Sequence, residues 1–404
     1  MALEIRNPRD EELRDVLAAI ESAFGSQLPS DEEDMLAAVR ATMPLDRVHV
    51  AFDDGRPVGA AAAWPVTMTI PGGEAPCPGV TWVGVLPSHR RRGLATELMR
   101  RQLDEIHERG EPLAALWASE SLIYGRFGYG LASLSHVLDA VRASFALRDD
   151  PGPEGTIRLV TRDEALELFP PVYDRVRPKR IGFLARSRDW WEGQRLATFW
   201  DDSGLGTRFY AVLELDGVPE AYAVYRMKEN WEQGIPNGTV RVVEALGTSQ
   251  RATREIWRFL FSIDLTATVD HRVHDPAGPL LHAVRDPRRL RLGLSDALWL
   301  RLVDVDAALR IRSWNGDDSL VAEVRDAFCP WNEGRHRLGA GAGRTDDEPD
   351  IALDVADLAS LYLGGLDAGA LCAAGRLEER TAGAAERAAT LFRTPLPPYC
   401  PEVF

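Results

Sequence analysis

The sequence feature that most constrains the fold is an apolar run followed by an arginine-rich loop and an amphipathic pattern, "GVTWVGVLPSHRRRGLATELMRRQLDEIHERG", at residues 79–110. The apolar run predicts a buried strand, and the helical spacing of the later apolar residues predicts a helix that ends near Gly110. The first N–H groups of a helix lack partners, and the helix dipole makes that end positive. Gly93 precedes this helix, where the lack of a Cβ lets the backbone approach an anion. The segment therefore predicts a strand–loop–helix unit that binds a pyrophosphate.

The order of patterns along the chain predicts a duplication. The first part contains an amphipathic helix "EELRDVLAAIESAFG", a hairpin around "DDGRP" and an apolar strand "PLAALWAS". After a linker at residues 148–156, "RDDPGPEGT", a similar order returns with a strand "GTVRVVEALGT" and a helix "ATREIWRFLFSI". The second copy reads "SQRATR" at residues 249–254 where the first reads "RRRGLA". Because the glycine is missing there, we expect the second copy to lack the ligand.

A third part follows a break near residues 274–290. Its runs "DALWLRLVDVDAALRIRSW" and "LVAEVRDAF" predict strands, and helical patterns follow them. The chain ends "TPLPPYCPEVF", where Pro395, Pro397, Pro398 and Pro401 disfavour a helix and predict an extended tail.

Composition and charge limit the classes of partner. The 404 residues carry a formal net charge of −15 and are 45% hydrophobic, so the chain can bury several cores. An acidic chain repels phosphate backbones over most of its surface and attracts cations. Nucleic acid is therefore excluded as the main partner, and a cationic ligand such as an amine is favoured.

Cysteine and histidine usage predicts no metal site. The four cysteines form no zinc-binding pattern, and His271 and His274 have no third ligand placed by spacing. The N-terminus is charged from its start and shows no signal peptide. The most apolar stretch, residues 358–375, carries Asp367 and predicts a buried helix rather than a membrane span. We expect a cytoplasmic protein with reduced thiols and no membrane span.

The loop before the helix matches a phosphate-binding motif. The pattern Arg-x-x-Gly-x-Ala is met by Arg90, Gly93 and Ala95, and a buried strand precedes it. The next predicted strand leads into "ASESLIYGRFGYG" at residues 118–130. The alternative is a basic capping loop before an ordinary helix. Together these segments resemble the acetyl-coenzyme A (acetyl-CoA) site of the GCN5-related N-acetyltransferase (GNAT) superfamily.

The resemblance extends to one family within that superfamily. "GVTWVGVLPSHRRRGLATELM", "ASESLIYGRFGYG", a length near 400 and a final phenylalanine are similar to the Eis (enhanced intracellular survival) family. The resemblance implies an α/β (α+β) fold with two tandem GNAT-type domains, at residues 1–148 and 149–288, the second lacking cofactor. A sterol-carrier-protein-like α+β domain would follow at residues 289–404. It also implies a homohexamer.

The resemblance assigns site residues position by position. It implies that Tyr124 is the general acid and that the terminal carboxylate of Phe404 is the general base. The residues that would bind acetyl-CoA are Val83, Gly84, Val85, Arg91, Arg92, Gly93, Leu94, Ala95, Thr96, Ser119 and Glu120.

The chemistry of the two implied catalytic groups fits acetyl transfer. Tyrosine has a reference pKa of about 10, so Tyr124 holds its proton at neutral pH and can stabilise a departing thiolate, whose pKa is about 8.5. A terminal carboxylate has a reference pKa of about 3.5 and removes a proton from an ammonium more easily through a water. Glu402 either adds negative charge near the amine or is solvated. Ten extended residues reach up to ~33 Å, so the tail is long enough to enter a pocket.

These observations predict an acetyl-CoA-dependent N-acetyltransferase that acts on amines of cationic small molecules such as aminoglycosides. Two alternatives stay open. One is acetylation of a lysine side chain, a peptide or a polyamine. The other, from a different class, is a lipid-binding protein that senses acetyl-CoA.

Overall fold

A computed structural model of the chain describes residues 3–29, 31–199 and 204–404. Its strands are β1 (Leu3–Arg6), β2 (Val48–Asp53), β3 (Arg56–Trp64), β4 (Thr67–Ile70), β5 (Gly73–Pro76), β6 (Gly79–Val85), β7 (Leu113–Trp117), β8 (Gly130–Leu131), β9 (Leu134–Val141), β10 (Thr156–Val160), β11 (Arg208–Leu215), β12 (Val218–Lys228), β13 (Trp231–Glu232), β14 (Ile235–Pro236), β15 (Gly238–Gly247), β16 (Thr266–His274), β17 (Gly293–Asp296), β18 (Leu298–Leu302), β19 (Ser319–Arg325), β20 (Gly334–Gly339), β21 (Gly343–Arg344), β22 (Ile351–Asp354) and β23 (Leu377–Glu379). Its α-helices are α1 (Leu13–Phe24), α2 (Glu32–Thr42), α3 (Leu94–Glu108), α4 (Ser121–Tyr124), α5 (Arg162–Val176), α6 (Arg188–Trp190), α7 (Gln250–Ser262), α8 (Leu280–Ala283), α9 (Val305–Ile311), α10 (Val355–Tyr362), α11 (Ala368–Ala373) and α12 (Ala384–Phe392).

The chain divides into two compact units. The first comprises the described residues within 1–133, 181–185 and 297–404, and the second those within 134–180 and 186–296. Both units therefore contain segments that are distant in the sequence. The boundaries predicted at residues 148 and 288 stay predictions.

The first unit contains a seven-stranded sheet in the order β1-β2-β3-β6-β7-β18-β8. Neighbouring strands are antiparallel except for the central pair, β6 and β7, which is parallel. The hairpin predicted around "DDGRP" joins β2 to β3. Helix α3 buries the predicted apolar stripe against this sheet, and burying each large apolar side chain stabilises the fold by about 1.5–3 kcal/mol. The stripe consists of Leu94, Leu98, Met99, Leu103 and Ile106.

A five-stranded sheet, β21-β20-β19-β22-β23, also belongs to the first unit. Its strands β19 and β22 are parallel, and helix α10 is buried along its whole length. The strand predicted over residues 305–311 is wrong, because these residues form α9. The Asp304 side chain caps this helix by accepting a hydrogen bond from the N–H of Ala307 at 3.0 Å, a local signal that outweighs the alternating pattern. The proline-rich tail forms no helix or strand.

The second unit repeats the pairing pattern of the first sheet. Its order is β10-β11-β12-β15-β16-β9-β17, again with one parallel pair, β15 and β16, among antiparallel neighbours. Helix α7 packs on β15, as α3 packs beside β6. The two sheets therefore have the same order of strand directions, which agrees with the duplication predicted from the sequence. In the part of the chain that the structure describes, no helix has both the length and the apolar character that crossing a membrane requires.

Candidate active site

A β-bulge shapes the last part of β6. The pairing with β3 passes from Ala62↔Thr81 to Ala60↔Gly84, so Trp82 and Val83 oppose a single residue of β3. Trp82 has a φ of 56°, a strained conformation for a bulky residue. A bulge of this kind interrupts the ladder and redirects the main chain, here at Trp82 and Val83, and pairing with β3 resumes at Gly84 and Val85. Val83, Gly84 and Val85, which are predicted to bind acetyl-CoA, therefore lie at and just after the bulge, on a part of β6 that has no register pair with β7.

The strands β6 and β7 meet at one register pair, Gly79↔Ala115. Beyond it the two strands separate, and a cavity of about 520 Å³ lies where β6, α3 and the segment after β7 meet. Its walls are formed by Ala23, Phe24, Ala60, Val83, Gly84, Val85, His89, Arg90, Arg91, Gly93, Leu94, Ala95, Thr96, Leu98, Ser119, Glu120, Ile123, Tyr124 and Arg126.

One end of the cavity is the start of α3. Gly93 has a φ of 83°, and a Cβ added there would have no heavy atom within 4 Å. No side chain caps the helix start. The Arg90 guanidinium is committed to structure, because it donates to the carbonyls of Val85 at 3.0 Å and Ala23 at 2.9 Å. The helix start therefore offers open space and positive potential to an anion, as the pyrophosphate of acetyl-CoA requires.

Tyr124 forms part of the cavity wall from the end of α4. Its side chain is 5% exposed, and its ring lies edge-on to Tyr129 with 6.1 Å between ring centroids. Burial raises the pKa of the Tyr124 hydroxyl, a side-chain hydrogen bond with Ser119 opposes that rise, and the charge of Glu120 adds to it. The hydroxyl therefore keeps its proton at neutral pH and can act as a donor.

Phe404 lies against the first residue of β6. Its ring atom Cε2 is 3.1 Å from where a Cβ of Gly79 would stand. The next residue, Val80, packs in the same buried cluster as Tyr124. Successive residues of a strand face opposite sides of a sheet, so the Phe404 ring lies on the face of β6 opposite the Val80 side chain.

The chain was compared with known proteins. Sequence models of the Acetyltransferase (GNAT) domain match residues 4–132 and 182–311, and the model of the Sterol carrier protein domain matches residues 305–401. An uncharacterized N-acetyltransferase of Streptomyces avermitilis is 40% identical over 95% of each chain, and the N-acetyltransferase Eis of Mycobacterium tuberculosis is 34% identical over 89% of this chain and 90% of its own. The crystal structure of Eis1 from Mycobacterium abscessus superposes with a TM-score of 0.86, at 32% identity and with 100% of both chains covered.

The chain belongs to the Eis family of GNAT N-acetyltransferases. The predicted fold class is thereby confirmed, with two GNAT domains and a C-terminal sterol-carrier-protein-like domain. This Eis-family protein is an acyltransferase that transfers acetyl groups to amines, and GNAT acetyltransferases use acetyl-CoA.

The second GNAT domain of this Eis-family enzyme has a short, capped connection between the strand and the helix that correspond to β6 and α3. Only two residues join β15 to α7, and one of them, Ser249, caps the helix by accepting from the N–H of Ala252 at 3.2 Å. A Cβ at Gly247 would stand 2.5 Å from the N atom of Thr253, so the helix lies directly against the strand end. After the bulge of β15, Glu244 pairs with Arg186 at 3.1 Å. The start of α7 thus carries a side-chain cap that the start of α3 lacks, and the absence of cofactor from the second copy stays a prediction.

The structure brings most of the predicted site residues together. Eleven of the thirteen line the cavity. Arg92 is exposed beside the loop, and Phe404 lies at Gly79 outside the cavity wall. Their functional roles stay predictions.

Among the described residues, no group of three histidine, cysteine or acidic side chains is arranged to hold a metal ion.

Sequence reasoning missed the contribution of α1 to the site. Ala23 and Phe24 line the cavity because the end of α1 packs over the bulge, where a Cβ at Gly84 would stand 3.3 Å from the Ala23 Cβ. No local signal marks these two residues. Arg126 also lines the cavity; it lies within the segment "ASESLIYGRFGYG", but the family resemblance implies no role for it.

Proposed function

We propose that this Eis-family enzyme binds acetyl-CoA in the cavity beside β6 and acetylates amines of cationic small molecules such as aminoglycosides. The observation that carries the proposal is the cavity itself, which joins the open start of α3 to the buried hydroxyl of Tyr124. The net charge of −15 favours a cationic acceptor. A homohexamer and a cytoplasmic location belong to the same proposal and rest on the family resemblance.

The cofactor-binding residues act through charge and main-chain donors. The N–H groups at the start of α3, from Leu94 to Thr96, would hold the pyrophosphate, and Arg91 and Arg92 would add positive charge. The main chain of Val83–Val85, at the bulge and the end of β6, would bind the pantetheine arm, with Ser119 and Glu120 across the gap. Acetyl-CoA supplies the thioester carbon that the amine attacks.

Tyr124 would serve as the general acid. Its raised pKa keeps the proton on the Oη atom, from which it can be donated to the departing sulfur. Because the reference pKa of a thiol, about 8.5, lies below that of tyrosine, a strong hydrogen bond is favoured over complete transfer. The low polarity around the buried ring strengthens that hydrogen bond.

The terminal carboxylate of Phe404 would serve as the general base. The ring of Phe404 lies at Gly79, the residue of β6 that pairs with β7 before the two strands separate. A water between the carboxylate and the ammonium would carry the proton. Glu402 is 3% exposed, so its burial argues against the solvated one of the two alternatives for this carboxylate.

The test is release of thiol from acetyl-CoA with three acceptors, kanamycin, spermine and a lysine-containing peptide. We expect turnover with kanamycin that falls strongly in Tyr124→Phe and in a protein with one glycine added after Phe404, because the addition converts the carboxylate to an amide. Acetyl-CoA binding, measured by calorimetry, is the control and should persist in both variants. Turnover with the peptide or spermine alone would support the second acceptor class. No turnover with any amine, together with lipid binding, would support the lipid-binding alternative.

A further inference from the structure

The last seven residues of the chain lie in a groove that three glycines make possible. A Cβ at Gly182 would stand 2.8 Å from the carbonyl oxygen of Tyr399. A Cβ at Gly365 would stand 2.8 Å from Cγ of Pro398. Together with Gly79 under Phe404, these residues form what we call the tail groove. It is built from three segments that are distant in the sequence, and all belong to the first unit.

The tail is held in this groove at Tyr399 and is buried as far as Glu402. The N–H of Tyr399 donates to the carbonyl of Ile181 at 2.9 Å, and its ring packs edge-on against Phe183 with 5.8 Å between centroids. Cys400 is 0% exposed and Glu402 is 3% exposed. The segment is therefore buried up to Glu402, whereas Val403 is 63% exposed, and the last residue contacts the groove through its ring at Gly79.

Gly79 is the part of the groove that touches the final side chain. It lies at the register pair where β6 and β7 separate, and its φ is not in the left-handed region, so alanine is compatible with the backbone there. Atoms Cε2 and Cδ2 of Phe404 lie 3.1 and 3.2 Å from the position of a Cβ, closer than an ordinary carbon–carbon contact. A methyl group at this position must therefore displace the ring.

We propose that Gly79 is a positioning residue, which seats the ring of Phe404 so that the terminal carboxylate is held beside the split of β6 and β7. The inference rests on the proposed role of that carboxylate. A base must be placed accurately to act, and a misplacement of about 1 Å can cost on the order of 10²-fold in rate. Displacement of the ring therefore lowers kcat, while the acetyl-CoA site at α3 is left intact.

The test compares Gly79→Ala, Phe404→Leu and the double variant, with Gly73→Ala as the matched control. Gly73 lies in β5 with nothing within 4 Å of an added Cβ. We expect Gly79→Ala to lower kcat by about 10-fold with an unchanged KM for acetyl-CoA, and Gly73→Ala to leave both unchanged. The smaller side chain of Phe404→Leu keeps the carboxylate and relieves the contact, so the double variant should recover at least about 3-fold over Gly79→Ala.

An unchanged kcat in Gly79→Ala, or the lack of any recovery in the double variant, would overturn the inference. If Gly79→Ala does not fold, Phe404→Ala in the native background decides instead. It keeps the carboxylate and removes the seated ring, so its kcat must fall while acetyl-CoA still binds. The added glycine after Phe404 separates the two proposals. If that addition leaves kcat unchanged, the proposed base is wrong. If the addition lowers kcat but Gly79→Ala leaves kcat unchanged, only the positioning role of Gly79 is refuted.

Discussion

Gly79 and Ala115 form the register pair that joins the two parallel strands at the centre of the first sheet. On the β6 side, the chain continues through the bulge to the loop before α3. On the β7 side, it continues to the segment that carries Ser119 and Tyr124. A single pair thus marks the point from which the phosphate-binding and acid-bearing parts of the candidate site diverge. The cavity depends on this divergence, because two strands that stayed paired would leave no space between them.

We predict that Gly93→Ala weakens acetyl-CoA binding by at least about 5-fold. A non-glycine residue at positive φ costs roughly 1–2 kcal/mol, and here the new Cβ also enters the space left for the anion. Gly110→Ala is the matched control, because Gly110 follows the other end of α3 with a φ of 71° and nothing within 4 Å of an added Cβ. Both variants should lose similar stability, and only Gly93→Ala should raise the Kd in calorimetry. An equal Kd in both would contradict a phosphate site at this helix start.

We predict that Tyr124→Phe lowers kcat by about 10²-fold or more with little change in acetyl-CoA affinity, since a general acid contributes typically 10²–10⁴-fold. In the wild type, the alkaline limb of the kcat profile should lie above the usual tyrosine pKa, because burial raises the pKa of Tyr124. Ser119→Ala removes the hydrogen bond that lowers this pKa, so it should move the limb to still higher pH. A limb that moves to lower pH in Ser119→Ala would show that another group titrates.

The strand–loop–helix unit could be predicted because its signals are local. The apolar spacing of Leu98 and Leu103, the position of Gly93 and the apolar run of β6 each need only neighbouring residues to be interpreted. The duplication could be predicted for the same reason, since each copy presents its own sequence of strand and helix patterns.

The remainder of the site depends on contacts between distant residues. β18 enters the first sheet between β7 and β8, although Leu298 lies far beyond Trp117 in the sequence. Phe24 lines the cavity only because α1 packs over the bulge. The ring of Phe404 is positioned only because Gly79 lies against the end of the chain. No periodicity within one segment encodes such contacts. The family resemblance supplied Phe404, and only the structure relates it to Gly79.

A buried ion pair on β18 should be essential for stability. Arg301 donates to Asp326 at 2.5 Å, with side chains 0% and 1% exposed, and Asn332 donates to the same carboxylate at 2.9 Å. Removing one partner leaves an uncompensated buried charge, so Arg301→Met should lower the free energy of unfolding by about 3–5 kcal/mol. The exposed pair Arg310–Asp306 is the control, where Arg310→Met should cost less than about 1 kcal/mol. Denaturant unfolding measures both, and equal losses would contradict this account.

The second unit should lose stability as the pH falls through the range of histidine titration. Burial, and to a lesser extent the charge of His136, lowers the pKa of His274 to about 4, and burial also lowers the pKa of His271. The unfolded chain has a histidine pKa of about 6.5, so it binds protons more readily than the folded state between these values.

This contribution to stability is therefore fully present above pH about 6.5 and is lost as the pH falls toward 4, with a slope of up to about 1.4 kcal/mol per pH unit for each such group. His274→Phe keeps a ring beside Trp257, 5.2 Å away between centroids, and removes one titrating group. Its free energy of unfolding should decline less steeply than that of the wild type between pH 7 and about 5. His282→Gln, at an exposed position, should follow the wild-type curve. Denaturant unfolding at a series of pH values tests this, and parallel curves for His274→Phe and the wild type would contradict it, because they would mean that His274 does not contribute to the loss.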